Sequence, residues 1–160
     1  MTNKQRLDYE SALEFNVTVV AYDAGIPPLS SSAQVTISLL NVNDQSPVFN
    51  SKMYTASISE NADVGTPVLS VSASDGDAGS FGLITYSLTG ENAKYFSIDA
   101  SGSIVVADPN GLDRERTPTM TLLVAASDLA PPGARRTTIV QVINHQLILI
   151  NIHIFLMNFD

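Results

Sequence analysis

Laid over itself at an offset of 105 residues, the chain matches without a gap. Leu7-Asp8-Tyr9-Glu10 falls on Leu112-Asp113-Arg114-Glu115, and Ala21-Tyr22-Asp23 falls on Ala126-Ser127-Asp128. Between these, Phe15, Val17 and Val19 meet Met120, Leu122 and Val124; beyond them, Val35 and Ile37 meet Val140 and Val142. A period this long signals tandem domains, not short stacked units. In a chain of 160 residues it leaves one whole unit and the end of another. The expected division is residues 1–44 as the last two strands and linker of one repeat, 45–144 as a complete repeat, and 145–160 as an unrelated apolar tail. Two strands cannot bury a core alone, so the front of the first repeat is expected to lie outside this chain. No export signal opens it either, and a fragment of a longer product is the expectation.

Within each match the apolar residues alternate. Phe15, Val17, Val19 and Ala21 are separated by Asn16, Thr18 and Val20, the period of two that marks a half-buried strand. The same period returns at Ile84/Tyr86/Leu88, Met120/Leu122/Val124/Ala126 and Val140/Val142. Shorter apolar runs lie at residues 54–59, 67–74, 95–99 and 103–107. Turn-forming residues punctuate them: Asp75-Gly76, Ser101-Gly102, Pro109-Asn110-Gly111 and Pro131-Pro132-Gly133. No amphipathic helix precedes residue 140. The reading is all-β: a Greek-key, immunoglobulin-like sandwich of seven strands in the complete repeat, preceded by a two-strand remnant. A hydrophobic fraction of 44% is enough to fill its core.

Acidic residues outnumber basic ones 16 to 8, for a net charge of −8. That argues against a nucleic-acid partner, which calls for a basic face. The absence of Cys removes disulfides, thiol nucleophiles and zinc ribbons together. Ten of the acids fall in short motifs at strand ends: Asp8, Glu10, Asp23, Asp44, Glu60, Asp75, Asp77, Asp113, Glu115 and Asp128. Carboxylates about 4 Å apart repel by about 4 kcal/mol at an effective dielectric near 20. A cluster of them calls for a cation, and hard oxygen ligands favour calcium over zinc. An EF-hand does not fit. Asp75-Gly76-Asp77 resembles its start, but its twelfth position is Tyr86 and its flanks are strands.

These motifs, in this order, resemble those of the cadherin repeat over residues 7–142. Leu7–Glu10 and Leu112–Glu115 are similar to its LDRE motif, and residues 41–47, Asn-Val-Asn-Asp-Gln-Ser-Pro, to its DxNDNxP linker. Ser59-Glu60-Asn61 resembles PEN, Asp75-Gly76-Asp77 resembles DxD, Phe96–Ile104 resembles FxID…GxI, and Ala126-Ser127-Asp128 resembles AxD. The resemblance implies Ca2+ at the junction between repeats. Its ligands here would be Asp8 and Glu10 from the first repeat, Asn41, Val42, Asn43, Asp44 and Gln45 from the linker, and Asp75, Asp77 and Asp128 from the second. Val42 and Asn43 would offer backbone carbonyls. Asp23 would face an upstream junction; Glu60, Asp113 and Glu115 would face a downstream one.

The resemblance further implies calcium-dependent cell–cell adhesion on the extracellular face of the plasma membrane, through a larger single-pass protein. The partners would be other cadherin-type ectodomains, like to like, with no small-molecule substrate. A calcium-stiffened spacer or ligand-binding ectodomain is the alternative. Asn41 and Gln45 depart from the family's linker, so weaker calcium binding than at a full junction is expected. No catalytic site is expected: the chain has no Trp, no His before His145, and no HExxH or nucleophile elbow. Asn16-Val17-Thr18 fits the N-glycosylation sequon on the polar side of a strand. The tail run at residues 147–157 falls short of the roughly 20 apolar residues a membrane span needs. Its uncharged, β-prone character makes it an aggregation hazard.

Overall fold

The structure, a computed structural model, describes residues 7–147. The first repeat contributes a hairpin of β1 (Glu14–Tyr22) and β2 (Ser30–Ser38). The second begins with β3 (Val48–Phe49) and β4 (Met53–Ser59), followed by β5 (Pro67–Ser70) and β6 (Ala73–Ser74). It continues through β7 (Ile84–Thr89), β8 (Phe96–Ile98), β9 (Ser103–Val106), β10 (Thr119–Asp128) and β11 (Thr137–Leu147). One sheet has the order β4-β11-β10-β7; the other has the order β5-β9-β8. β3 pairs with β6 beside the second sheet, so β3 and β4 are two halves of a first strand that changes sheets. β5 and β6 are likewise one strand broken at Val71-Ser72. Counted this way, the repeat has the seven strands of the expected sandwich. Pairing is antiparallel except where β4 lies parallel to β11.

Alternation decides which face is buried. On β10, Met120, Leu122 and Val124 are at most 1% exposed, whereas Thr119 and Thr121 face solvent. They pack with Val71, Phe96, Ile104, Val106, Val140 and Val142 in one core between the sheets. Gly102 closes the turn between β8 and β9 at φ +83°, and a Cβ there would lie 2.2 Å from the Val71 carbonyl oxygen. Only glycine fits this approach. Three 3-10 turns join the strands, at Gly79–Phe81, Glu91–Tyr95 and Pro109–Gly111.

The hairpin of the first repeat keeps the strand geometry without the layer opposite. Phe15, Val17 and Val19 pair with Ile37, Val35 and Ala33 on one face, yet Val17, Val19, Val35 and Ile37 are exposed.

Strand pairing amends the repeat. Val17 pairs with Val35, but its counterpart Leu122 pairs with Val142 and not with Val140. The loop before β11 is therefore two residues longer than the loop before β2, and β11 corresponds to β2 at an offset of 107. At that register Asn144 stands where the first repeat has Ile37. Asn144 is 0% exposed, and neither its Oδ1 nor its Nδ2 is hydrogen-bonded. Burying such an amide costs about 1–3 kcal/mol. Asn144→Ile is therefore expected to raise the unfolding free energy by about 1 kcal/mol or more, measured by denaturant unfolding.

β11 stays paired with β4 through Leu147. The remainder of the expected tail, 148–160, lies outside the described residues. Among those described, no helix is long and apolar enough to cross a membrane.

Candidate metal centre at the inter-repeat seam

Three segments meet where the first repeat ends and the second begins. The turn after Leu7 brings Glu10, the linker brings Asn41–Gln45, and the loop after β6 brings Asp75 and Asp77. Glu10, Asp44 and Asp77 each place a carboxylate oxygen so that all three lie within 4.8 Å of one another. Glu10 and Asp44 are exposed; Asp77 is buried. The backbone aims these groups. Ala78 N donates to Glu10 Oε1 (3.3 Å), tying the first repeat to the second. Gln45 N donates to Asp77 Oδ2 (3.1 Å), and Asp77 N donates to Asp75 Oδ1 (3.0 Å). Gly82 lies so close that a Cβ would sit 2.1 Å from the Asp77 carbonyl oxygen.

The linker is fastened at two further points. Asn41 Nδ2 donates to the Ala78 carbonyl (3.0 Å). Asn43 Nδ2 donates to Asp128 Oδ2 (2.8 Å) and to the Ala134 carbonyl (2.7 Å). Arg136 Nε donates in turn to the Asn43 carbonyl (3.0 Å). Asp128, 0% exposed, also accepts from Ala130 N and Arg136 N. Burial pushes its carboxyl up, but the Asn43 amide, these two N–H groups and the Arg135 charge outweigh it and hold Asp128 below the usual carboxylate range.

Asp77 goes the other way. Burial raises it first, the charges of Asp75 and Asp44 add to the rise, and the Gln45 N–H only partly offsets them. The seam therefore carries uncompensated negative charge. It also carries unpaired acceptors: Asn41 Oδ1, Asn43 Oδ1, Asp75 Oδ2 and Asp77 Oδ1 are buried and accept no hydrogen bond. Buried oxygens of this kind are rarely left unpaired. An all-oxygen donor set with converging carboxylates suits a hard divalent cation such as calcium.

The other expected ligands are disposed differently. Asp8 turns into its own loop, accepting from Ser11 Oγ and Glu10 N. The Ser11 hydroxyl, ahead of smaller contributions, holds it below the usual range. Val42 is 58% exposed between the two asparagines. Asp23 caps the turn before β2, accepting from Leu29 N and Gly25 N. At the far end of β10, Glu60 accepts from Arg114 N (3.4 Å), Asp113 accepts from Arg116 N (3.0 Å), and Glu115 lies 3.6 Å from Arg114 Nη2 on the surface. Ala78, Gly82, Ala134 and Arg136 complete the seam, and none stands in an acidic motif. Of these, only Arg136, eight residues after Asp128, carries a side-chain signal in the sequence.

Residues 54–143 match the model of the family described as "Cadherin domain". This chain belongs to the cadherin family. It is 44% identical over 133 residues to Cadherin-87A of Drosophila melanogaster, covering 82% of this chain and 7% of that protein. It is 46% identical over 124 residues to Protocadherin Fat 4 of Mus musculus, covering 76% of this chain and 2% of that protein. This cadherin chain thus spans a small part of the curated relatives it matches. Its fold follows that of mouse Cadherin-23 EC22-24 with a TM-score of 0.79 at 35% identity, over 89% of this chain and 45% of that one. The cadherin repeat is thus the fold of this chain, an all-β sandwich.

Proposed function

We propose that this chain is a piece of a calcium-dependent cell–cell adhesion ectodomain, stiffened at the seam between its two repeats and pairing with like ectodomains. Its place would be the extracellular face of the plasma membrane, within a longer anchored protein. The convergence of Glu10, Asp44 and Asp77 carries this reading, because one residue comes from the first repeat, one from the linker and one from the second repeat.

Bound calcium would supply the positive charge that offsets the repulsion among these acids. The residues themselves do the rest. Asp44, Asp75, Asp77 and Glu10 would hold the ion, with Asn41 and Asn43 adding amide oxygens. Asn43 and Arg136 keep the linker seated on the second repeat. Glu10, held by one 3.3 Å backbone bond, is the weaker half of the joint. Without a cation its charge faces Asp44 and Asp77, and the first repeat is free to swing about the linker. A stiff joint keeps successive repeats in line and presents distal ones to a partner.

Limited proteolysis checks this. With a calcium chelator, cleavage at the exposed linker around Val42 is expected to become several-fold faster than with calcium. Equal rates would count against the stiffening.

A further inference from the structure

We propose that Asn16 carries an N-linked oligosaccharide. Asn16-Val17-Thr18 is the only Asn-x-Ser/Thr sequon in the chain. The proposal rests on the extracellular reading above, since transfer to a sequon takes place in the secretory lumen.

Three observations fit a glycan held at this site in the folded chain. First, the two faces of the hairpin differ. Phe15, Val17 and Val19 share one face with Ala33, Val35 and Ile37, whereas Asn16 and Thr18 share the other with Gln34 and Thr36. Asn16 and Thr18 therefore stand on the same side, two residues apart, and both are exposed. Second, this exposure does not come from the lack of a facing layer. In the complete repeat, the counterparts of Phe15, Val17 and Val19 (Met120, Leu122 and Val124) are buried, while the counterpart of Asn16, Thr121, is still exposed. A full first repeat would bury the apolar face and leave Asn16 in solvent. Third, Thr36 Oγ1 donates to Asn16 Oδ1 across the strand pair (2.6 Å). This engages the amide oxygen and not the nitrogen that a glycan would use, and glycosylation leaves that oxygen able to accept.

In the transfer, Asn16 Nδ2 forms a bond to the anomeric carbon of a lipid-linked diphosphate oligosaccharide. The bond between that carbon and the phosphate oxygen breaks, the lipid diphosphate leaves with the electron pair, and one amide proton passes to base. No oxidant or reductant is needed.

The full chain, fused to a cleavable export signal and expressed in mammalian cells, tests the proposal. Medium and cell lysate are both probed, because transfer precedes folding and a retained chain carries the mark too. The expected result is a single heavier species that N-glycosidase converts to the peptide mass, with Asn16 turned to Asp in the released peptide. Thr18→Ala and Asn16→Gln are expected to abolish the heavier species, and Thr18→Ser to keep it. An unmodified chain in both fractions, or a heavier species that survives Thr18→Ala, overturns the proposal. The export signal fixes the compartment, so a missing glycan counts against the site alone. Failure of calcium to slow linker cleavage counts against the adhesion reading alone.

Discussion

Asp77→Asn is expected to weaken calcium binding on the order of a hundred-fold while leaving the calcium-free chain as stable as before, or more so. The substitution removes the charge but keeps an oxygen to accept from Gln45 N (3.1 Å in the parent). It also removes a carboxylate that burial and the charges of Asp75 and Asp44 already push toward protonation. The folded chain therefore gives up a repulsion, and the ion gives up a central ligand. Loss of groups merely supporting metal ligands costs about ten- to a hundred-fold in affinity, so a direct ligand belongs at or beyond the upper end. Isothermal titration measures the first effect, and thermal unfolding in chelator measures the second. Glu115→Gln, on the exposed surface at the other end of β10, is expected to leave the affinity unchanged. Unaltered binding in Asp77→Asn would remove Asp77 from the site.

The second large effect concerns stability. Leu122→Ala is expected to cost about 2–5 kcal/mol, because Leu122 is 0% exposed and lies at the centre of the core. Against the roughly 5–15 kcal/mol that holds a typical domain folded, this approaches global unfolding. Val17→Ala is expected to cost no more than about 0.5 kcal/mol. Val17 is the counterpart of Leu122 in the first repeat, yet it is 42% exposed. The two positions have one strand pattern and differ in whether a second sheet faces them. Chemical denaturation followed by circular dichroism measures both. Similar costs at the two positions would mean that the hairpin buries Val17 in solution.

The same contrast explains what the residues alone could show. Alternation at Phe15–Ala21 and Met120–Ala126 revealed β1 and β10 and their inner faces, because a strand side chain has only two directions to point. The two-residue difference in the loop before β11 stayed hidden for the same reason. A slip of two residues keeps every side chain on its own face, and the ungapped match sets Val35 and Ile37 on the apolar Val140 and Val142, whereas the true register sets Ile37 on the polar Asn144. Only cross-strand pairing separates the two registers, and Asn144 is the residue that shows the difference. The short 3-10 helix at Glu91–Tyr95 leaves no mark in the residue pattern, because five residues are too few to display a helical period.

At the seam, the carboxylates were legible and their supports were not. Asp44, Asp77 and Glu10 stand in spaced acidic motifs. Ala78 and Ala134 act through backbone atoms, which leave no trace in residue identity. Arg136 reads as an ordinary surface charge until its Nε is found on the Asn43 carbonyl. Asp8 stands in the same motif as Glu10, but Ser11, three residues on, draws its carboxylate into a local turn.

The cation site at the seam is tested most directly by an NMR titration of the chain with manganese, a paramagnetic stand-in for calcium, followed amide by amide. Early broadening is expected to be confined to the amides around Glu10, Asp44–Gln45 and Asp75–Ala78 and to be reversed by excess calcium. Broadening centred instead on Glu60 and Asp113–Glu115, or spread evenly over the acidic surface, would contradict that site.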